Sequence, residues 1–319
     1  MQKSPVRPVV EGGVLTAVAI IFALISTYVP VLGAFVNLIW PVPIVLLGVR
    51  HGYKWSIMAV VASGIIIALI MHPLTAVSVV VGFGLIGIAL GYAIREGFSP
   101  TKTLLIGAAA SLISKAAVLA ISAAVMGFNP LNLQTDAMVK GLEQAMEFYR
   151  GMGMKAEDLS QMEATMRPMM DLMKIILPAG FVLAAFVDTF LNYQVAKAVL
   201  AKLGQRLEPF PQFRHWMMPR LTVYALAVAL VSIYWGKTRE IEFLFNAGMN
   251  LQVITTMVLF IQGLALFYFL ADKYNLSRIV RGIILFLIFS NGIFMQALII
   301  GGAFDLIFDY RQLRAPRLE

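Results

Sequence analysis

The chain has no cysteine, three histidines and few charges: only 13% of its 319 residues are Asp, Glu, Lys or Arg, about half the share in soluble domains. Without cysteine there is no disulfide, no thiolate metal centre and no cysteine nucleophile. His51, His72 and His215 are scattered, and none has metal-ligand spacing. Neither G-x-S-x-G nor H-E-x-x-H occurs. Gly236-Lys237-Thr238 lacks the phosphate-loop glycine five residues before Gly236, where Val231 stands, so the chain is not expected to hydrolyse ATP. Gly82-x-Gly84-x-x-Gly87 has dinucleotide spacing but no βαβ unit around it; helix packing explains it and the G-x-x-x-G of Gly87 and Gly91. The expectation is a non-enzymatic protein with no cofactor and no metal.

What is abundant is apolar. Hydrophobic residues make up 60% of the chain and mean hydropathy is +0.84. The apolar runs are about 20 residues long rather than alternating ten-residue strands, so the fold class is all-α, a polytopic helical membrane protein. The net charge of +8 does not point to nucleic acid, because most bases sit in short loops between spans, as the positive-inside rule requires. That bias places the chain in the bacterial cytoplasmic membrane as a multi-pass protein, with Lys3, Arg7 and the loop 197–220 in the cytosol. The first apolar run reads as a retained helix, not a cleaved signal. Eight full spans are expected: 12–32, a short one with Pro41 and Pro43, 55–71, 75–94, one from Lys102 to Met126, 173–196, 221–235 and 249–271. The run 282–308 is ambiguous. It is either one crossing or a hairpin broken at Ser290-Asn291-Gly292 whose halves are short for spans.

Between the fifth and sixth spans, opened by the Asn129-Pro130 break, lies an insertion, 129–171. It has eight Met, seven acids and four bases. Met138, Leu142, Met146 and Tyr149 recur at helical spacing, as do Leu159, Met162, Met166 and Met170. An external amphipathic hairpin, or outward extensions of the two spans, is expected. The thioethers admit packing or soft Cu(I) ligation; no His or Cys accompanies them.

Lys115 and Asp188 are the ionisable residues deep inside apolar spans. They lie about 20 Å and 13 Å from the ends near Lys102 and Lys197, at 1.5 Å per residue. Asn192, four residues after Asp188, shares its face. Two readings stand: a structural ion pair, or a ligand-contacting or proton-coupled site.

On the first span Gly12, Thr16, Ala19, Ala23 and Ser26 form a small-residue stripe, for packing inside the bundle or against a partner helix. This stripe, the short Pro-containing second span, Gly84, Gly87 and Gly91 on the fourth, and six spans to about residue 200 resemble the S-components of energy-coupling-factor (ECF) vitamin transporters. The resemblance implies a six-helix core, 1–203, carrying the insertion, and two or three additional C-terminal membrane helices with a basic tail in 204–319. It also implies that Ala19 and Ala23 dock on an energising membrane partner. A small-molecule substrate would bind near the outer face, with Asn37, Trp40, Lys115, Asp188 and Asn192 as contacts. The extra C-terminal spans and the long insertion depart from that family's pattern. The whole chain, including Gln262-Gly263 and the ending Gly302-Ala303-Phe304-Asp305 through Phe308-Asp309-Tyr310-Arg311, is similar to the YybS-like family of bacterial membrane proteins of unassigned function. The functional expectation is a substrate-binding, transport-associated membrane subunit; the alternative is a membrane scaffold or assembly factor with no ligand.

Overall fold

The structure is a computed structural model. It describes residues 6–29, 31–127 and 130–313, without the side chains of Ala34, Asn37, Met126 and residues 130–135. Lys3, Pro30, Asn129 and the Asn37 side chain therefore lie outside it. Every regular element among the described residues is helical. In order they are α1 (Val6–Tyr28), α2 (Leu32–Ile39), α3 (Val42–His51), α4 (Tyr53–Ile70), α5 (Pro73–Arg95), α6 (Pro100–Met126), α7 (Pro130–Gly151), α8 (Ala156–Lys202), a 3₁₀ turn (Phe213–His215), α9 (Leu221–Thr238), α10 (Glu242–Lys273), α11 (Arg278–Ser290) and α12 (Gly292–Phe308). Seven of these, α1, α4, α5, α6, α8, α9 and α10, are long and apolar enough to cross a membrane. The protein is thus a polytopic all-α membrane protein.

The expected second span is corrected. It is split into α2 and α3 at Trp40-Pro41, and α3 has 10 residues, about 15 Å or half a hydrocarbon core. Pro41 and Pro43 supply no N–H and are tolerated only at a helix start. The two short pieces still return the chain to the level where it began. Glu11 near the start of α1 meets Arg50 (3.0 Å) and His51 (2.5 Å) at the end of α3.

Two compact units form, Met1–Met170 with Phe181–Pro209, and Asp171–Gly180 with Phe210–Glu319. In the first, α3 is the hub: residues 42–48 are all buried, against α1, α4 and α5. The glycines of α5 make this possible. A Cβ on Gly91 would stand 3.1 Å from the Cα of Gly48 on α3, and one on Gly87 would meet the Ile44 side chain. The methionine-rich segment forms a hairpin of α7 and the first turns of α8. Leu142, Met146, Leu159 and Met170 are buried between its arms with Met138, Val139 and Met162 beside them. The buried thioethers sit among Leu and Val, as a packing role requires.

In the second unit, α10 packs on α9 and α12. Pro178 interrupts the backbone ladder of α8, and Asn250 of α10 repairs it. Its Oδ1 accepts from Ala179 N–H at 2.8 Å and its amide donates to Ile175 O at 2.7 Å. An unbroken helix would join those two backbone groups to each other. In an apolar medium such a repair is what makes the proline tolerable.

The ambiguous run 282–308 resolves into α11 and α12, bent by 105°. Asn291 makes the corner: its Oδ1 accepts from Ile293 N–H at 2.8 Å and so caps α12. Gly263 of α10 and Gly302 of α12 let the two backbones touch; a methyl on either would run into Leu298 O or Leu259 O. Both ends of this bent pair converge on one place. Arg281 at its start binds Asp272 at 2.5 Å, Asp272 also binds Arg214 at 2.8 Å, and Arg311 beyond its end donates to Arg214 O at 2.5 Å. The two ends of the bent pair therefore meet the same Asp272–Arg214 group.

Candidate functional site

Lys115 on α6 and Asp188 on α8, 73 residues apart in sequence, form an ion pair. The Lys115 ammonium also donates to Ser111 Oγ, one turn earlier on α6, at 2.9 Å. Helical spacing explains the grouping. Ser111, Ser114 and Lys115 share a face of α6, and Asp188, Thr189 and Asn192 fall within one turn of α8. Gly107 admits the neighbouring helix: a Cβ there would collide with the Thr189 methyl. Lys115 retains 19% and Asp188 12% of side-chain exposure. The cluster is not closed. Ser114 Oγ, Thr189 Oγ1 and Asn192 Oδ1 are buried with no hydrogen-bond partner. The Asn192 amide is spent elsewhere, donating to Leu38 O at 2.9 Å and Asp188 O at 2.8 Å. That orientation presents Asn192 Oδ1 as a bare acceptor.

Other expected contacts do not join this cluster. Trp40 is fully buried, its indole N–H donates to Ala19 O at 2.8 Å, and its ring packs 6.5 Å from Phe83. It is a core residue of the first unit, which corrects its expected place among substrate contacts near the outer face. Ala19 and Ala23 are also fully buried, beside Trp40, Ile44 and Leu47. The small stripe lets α1 approach its own neighbours, so the docking expectation is corrected too: these alanines face no open surface.

A second polar network was not expected as a site. Asp305 on α12 and Arg311 just beyond it pair with no side-chain exposure. Arg311 donates to Asp305 Oδ2 from Nε (3.0 Å) and Nη2 (2.8 Å), to Arg214 O (2.5 Å) and to Trp216 O (2.7 Å). Gln262 of α10 donates to the same Oδ2, and its Oε1 accepts from Met218 N–H at 2.8 Å. Arg311 thereby ties α12, α10 and the loop before α9 together. One signal was available: Asp305 is an acid in an otherwise apolar run, with Arg311 six residues on. Nearby, Gln212, Phe213, Arg214, Tyr268 and Asp272 line an open cleft of about 610 Å3. Its single carboxylate is already held by Arg214 and Arg281. Among the described residues, no three of His, Cys, Asp and Glu gather in a metal-ligating group.

The chain matches, over residues 17–306, the family described as "Predicted membrane protein (DUF2232)". It belongs to that family. It is similar to the Uncharacterized protein YybS of Bacillus subtilis (strain 168), 24% identical over 308 residues that cover 96% of this chain and 97% of the relative. No solved structure matches. The family is thus YybS-like, and Gln262, Gly263, Gly302, Asp305 and Arg311, which belong to the stretches that carry that likeness, are neighbours in the second unit.

Proposed function

We propose that this DUF2232 protein is a non-enzymatic subunit of the bacterial cytoplasmic membrane. It binds a small polar solute in its first unit, at Lys115 and Asp188, as part of a transport system whose energy comes from another protein. The supporting observation is the unfinished polar cluster around the ion pair: three buried oxygens of Ser114, Thr189 and Asn192 lack partners. Buried polar groups without partners cost stability, and an ionisable pair in a membrane helix marks a functional place by default. An energising partner would have to engage a surface other than Ala19 and Ala23, which are buried. Mass spectrometry of small molecules co-purifying with the wild type and with Asp188→Asn tests this. A polar solute retained by the wild type and lost in the variant is expected; a protein that neither retains a solute nor changes its melting midpoint with any small ion, or a variant that retains the solute equally, overturns the reading.

The rival reading is a membrane scaffold in which the pair is only a strut. It is favoured by the direct contact of Lys115 with Asp188, which leaves neither charge alone, and it predicts no retained solute. For either reading the amino terminus and the loop 197–220 lie in the cytosol and the methionine-rich hairpin outside, from the Lys/Arg bias. A reporter cysteine at Ser160, exposed on the hairpin, should react with an impermeant reagent on intact cells. Protection there, with reaction only after lysis, contradicts this orientation.

A further inference from the structure

The binding reading leaves the chemical class of the ligand open, and the atoms of the cluster restrict it. Lys115 places a monovalent cation, its own ammonium, against the Asp188 carboxylate and Ser111 Oγ. On neighbouring turns of the same two helices are Ser114 Oγ, Thr189 Oγ1 and Asn192 Oδ1, all in fully buried residues and all without partners. The Asn192 N–H groups are already committed to Leu38 O and Asp188 O, so what this side chain offers is a carbonyl oxygen. The set is one carboxylate, one amide oxygen and three hydroxyls. It contains no sulfur and no imidazole, which suits a hard or ammonium-type cation rather than a transition metal. An anion entering here would meet Asp188 and a bare acceptor, and would be repelled.

We infer that this is a compact-cation site in which the Lys115 ammonium is the resident occupant and a free monovalent cation, alkali or ammonium, is its competitor. The inference rests on the binding reading above and names its ligand. A carboxylate in the apolar core is stabilised by a positive charge beside it. Lys115 supplies that charge when its chain lies across the cluster. When the chain swings aside, along the side on which it keeps 19% exposure, a free cation takes its place and the hydroxyls and Asn192 Oδ1 complete its shell. Occupation by Lys115 and by the free cation is mutually exclusive, so the lysine sets how tightly the site holds its ligand.

The test uses the full chain in detergent, with melting midpoints measured in sodium, potassium, ammonium and choline chloride at equal ionic strength. Choline is too large for the cluster and serves as the reference. In Lys115→Met the resident charge is gone, so at least one small cation should raise the midpoint by roughly 3 °C or more relative to choline, with half-saturation at least about tenfold lower than in the wild type. The cation that does so identifies the ligand. Lys115→Met/Asp188→Asn should show no such shift. The inference is overturned if no small cation separates from choline in Lys115→Met, or if the double variant responds as strongly. Should Lys115→Met not fold, hydrogen exchange of the wild type decides. Amides around 185–192 should be protected by the small cation and not by choline, and equal exchange overturns the inference. Co-purification separates the two levels. An organic solute lost in Asp188→Asn with no cation effect overturns the cation site and leaves the binding reading; failure of both overturns both.

Discussion

Each unit buries an oppositely charged pair, and the two pairs are built differently. Asp305 and Arg311 are six residues apart, have no side-chain exposure and are bound to the backbone of a third segment at Arg214 and Trp216. Lys115 and Asp188 are 73 residues apart, retain 19% and 12% exposure, and stand beside three unpartnered oxygens. Arg311, with its fork of donors, fixes three chain segments in one geometry. Lys115 is a compact point charge on a flexible four-carbon stem. The difference teaches that a buried pair is a strut when its guanidinium holds backbone, even though Asp305 Oδ1 is itself buried without a partner. It is a candidate site when its ammonium holds only side chains, Asp188 and Ser111, among spare polar atoms.

The comparison breaks most visibly at the strut. Arg311→Ala or Asp305→Ala leaves an uncompensated buried charge, and a loss of about 3–5 kcal/mol is expected in the unfolding of the second unit. Asp305→Leu/Arg311→Met should recover most of it, because apolar replacements of a buried pair are often neutral; a double variant as unstable as the singles would show that backbone anchoring, not charge, dominates. At the candidate site Lys115→Met and Asp188→Leu should each cost about 2–3 kcal/mol, the penalty of one charge in an apolar span. The double variant should cost less than either, readable as a double-mutant cycle. Asn250→Leu should cost about 1–3 kcal/mol, since Ala179 N–H and Ile175 O lose their partner. Loss of Arg281 should be smallest, with no resolved change in midpoint. Asp272 is partly exposed and keeps Arg214, and the bonds from Arg281 to Ala271 O and Leu276 O lie at a partly exposed helix end that water can reach.

Much of this was legible in the sequence, for definite reasons. A charge inside an apolar run stands out, so Lys115 and Asp188 were visible, and the stretch linking their helices made them neighbours. The seven long helices were visible for the same reason, as unbroken apolar runs. Residues 32–51 misled because their composition is that of a span while Pro41 and Pro43 divide the helix. Trp40 misled because a large aromatic residue beside a proline suggests a ligand contact near the outer face; tertiary packing buried it against α1 instead. Arg311 was hidden by charge statistics: among Arg314 and Arg317 it looked like one more basic residue of a tail. Arg314 and Arg317 lie outside the described residues, while Arg311 is inside the second unit's core. The role of Asn250 is not legible from its own span, because it depends on Pro178, 72 positions away in sequence.

The central claim is that the pair in the first unit is a site and the pair in the second a strut. The most direct measurement takes Lys115→Met/Asp188→Leu and Asp305→Leu/Arg311→Met side by side, and determines unfolding stability and co-purifying solute content on the same preparations. The account predicts that both doubles fold near wild-type stability, that the first has lost the solute and that the second retains it. A first double that keeps the solute, or a second that loses it while folded, would contradict the account.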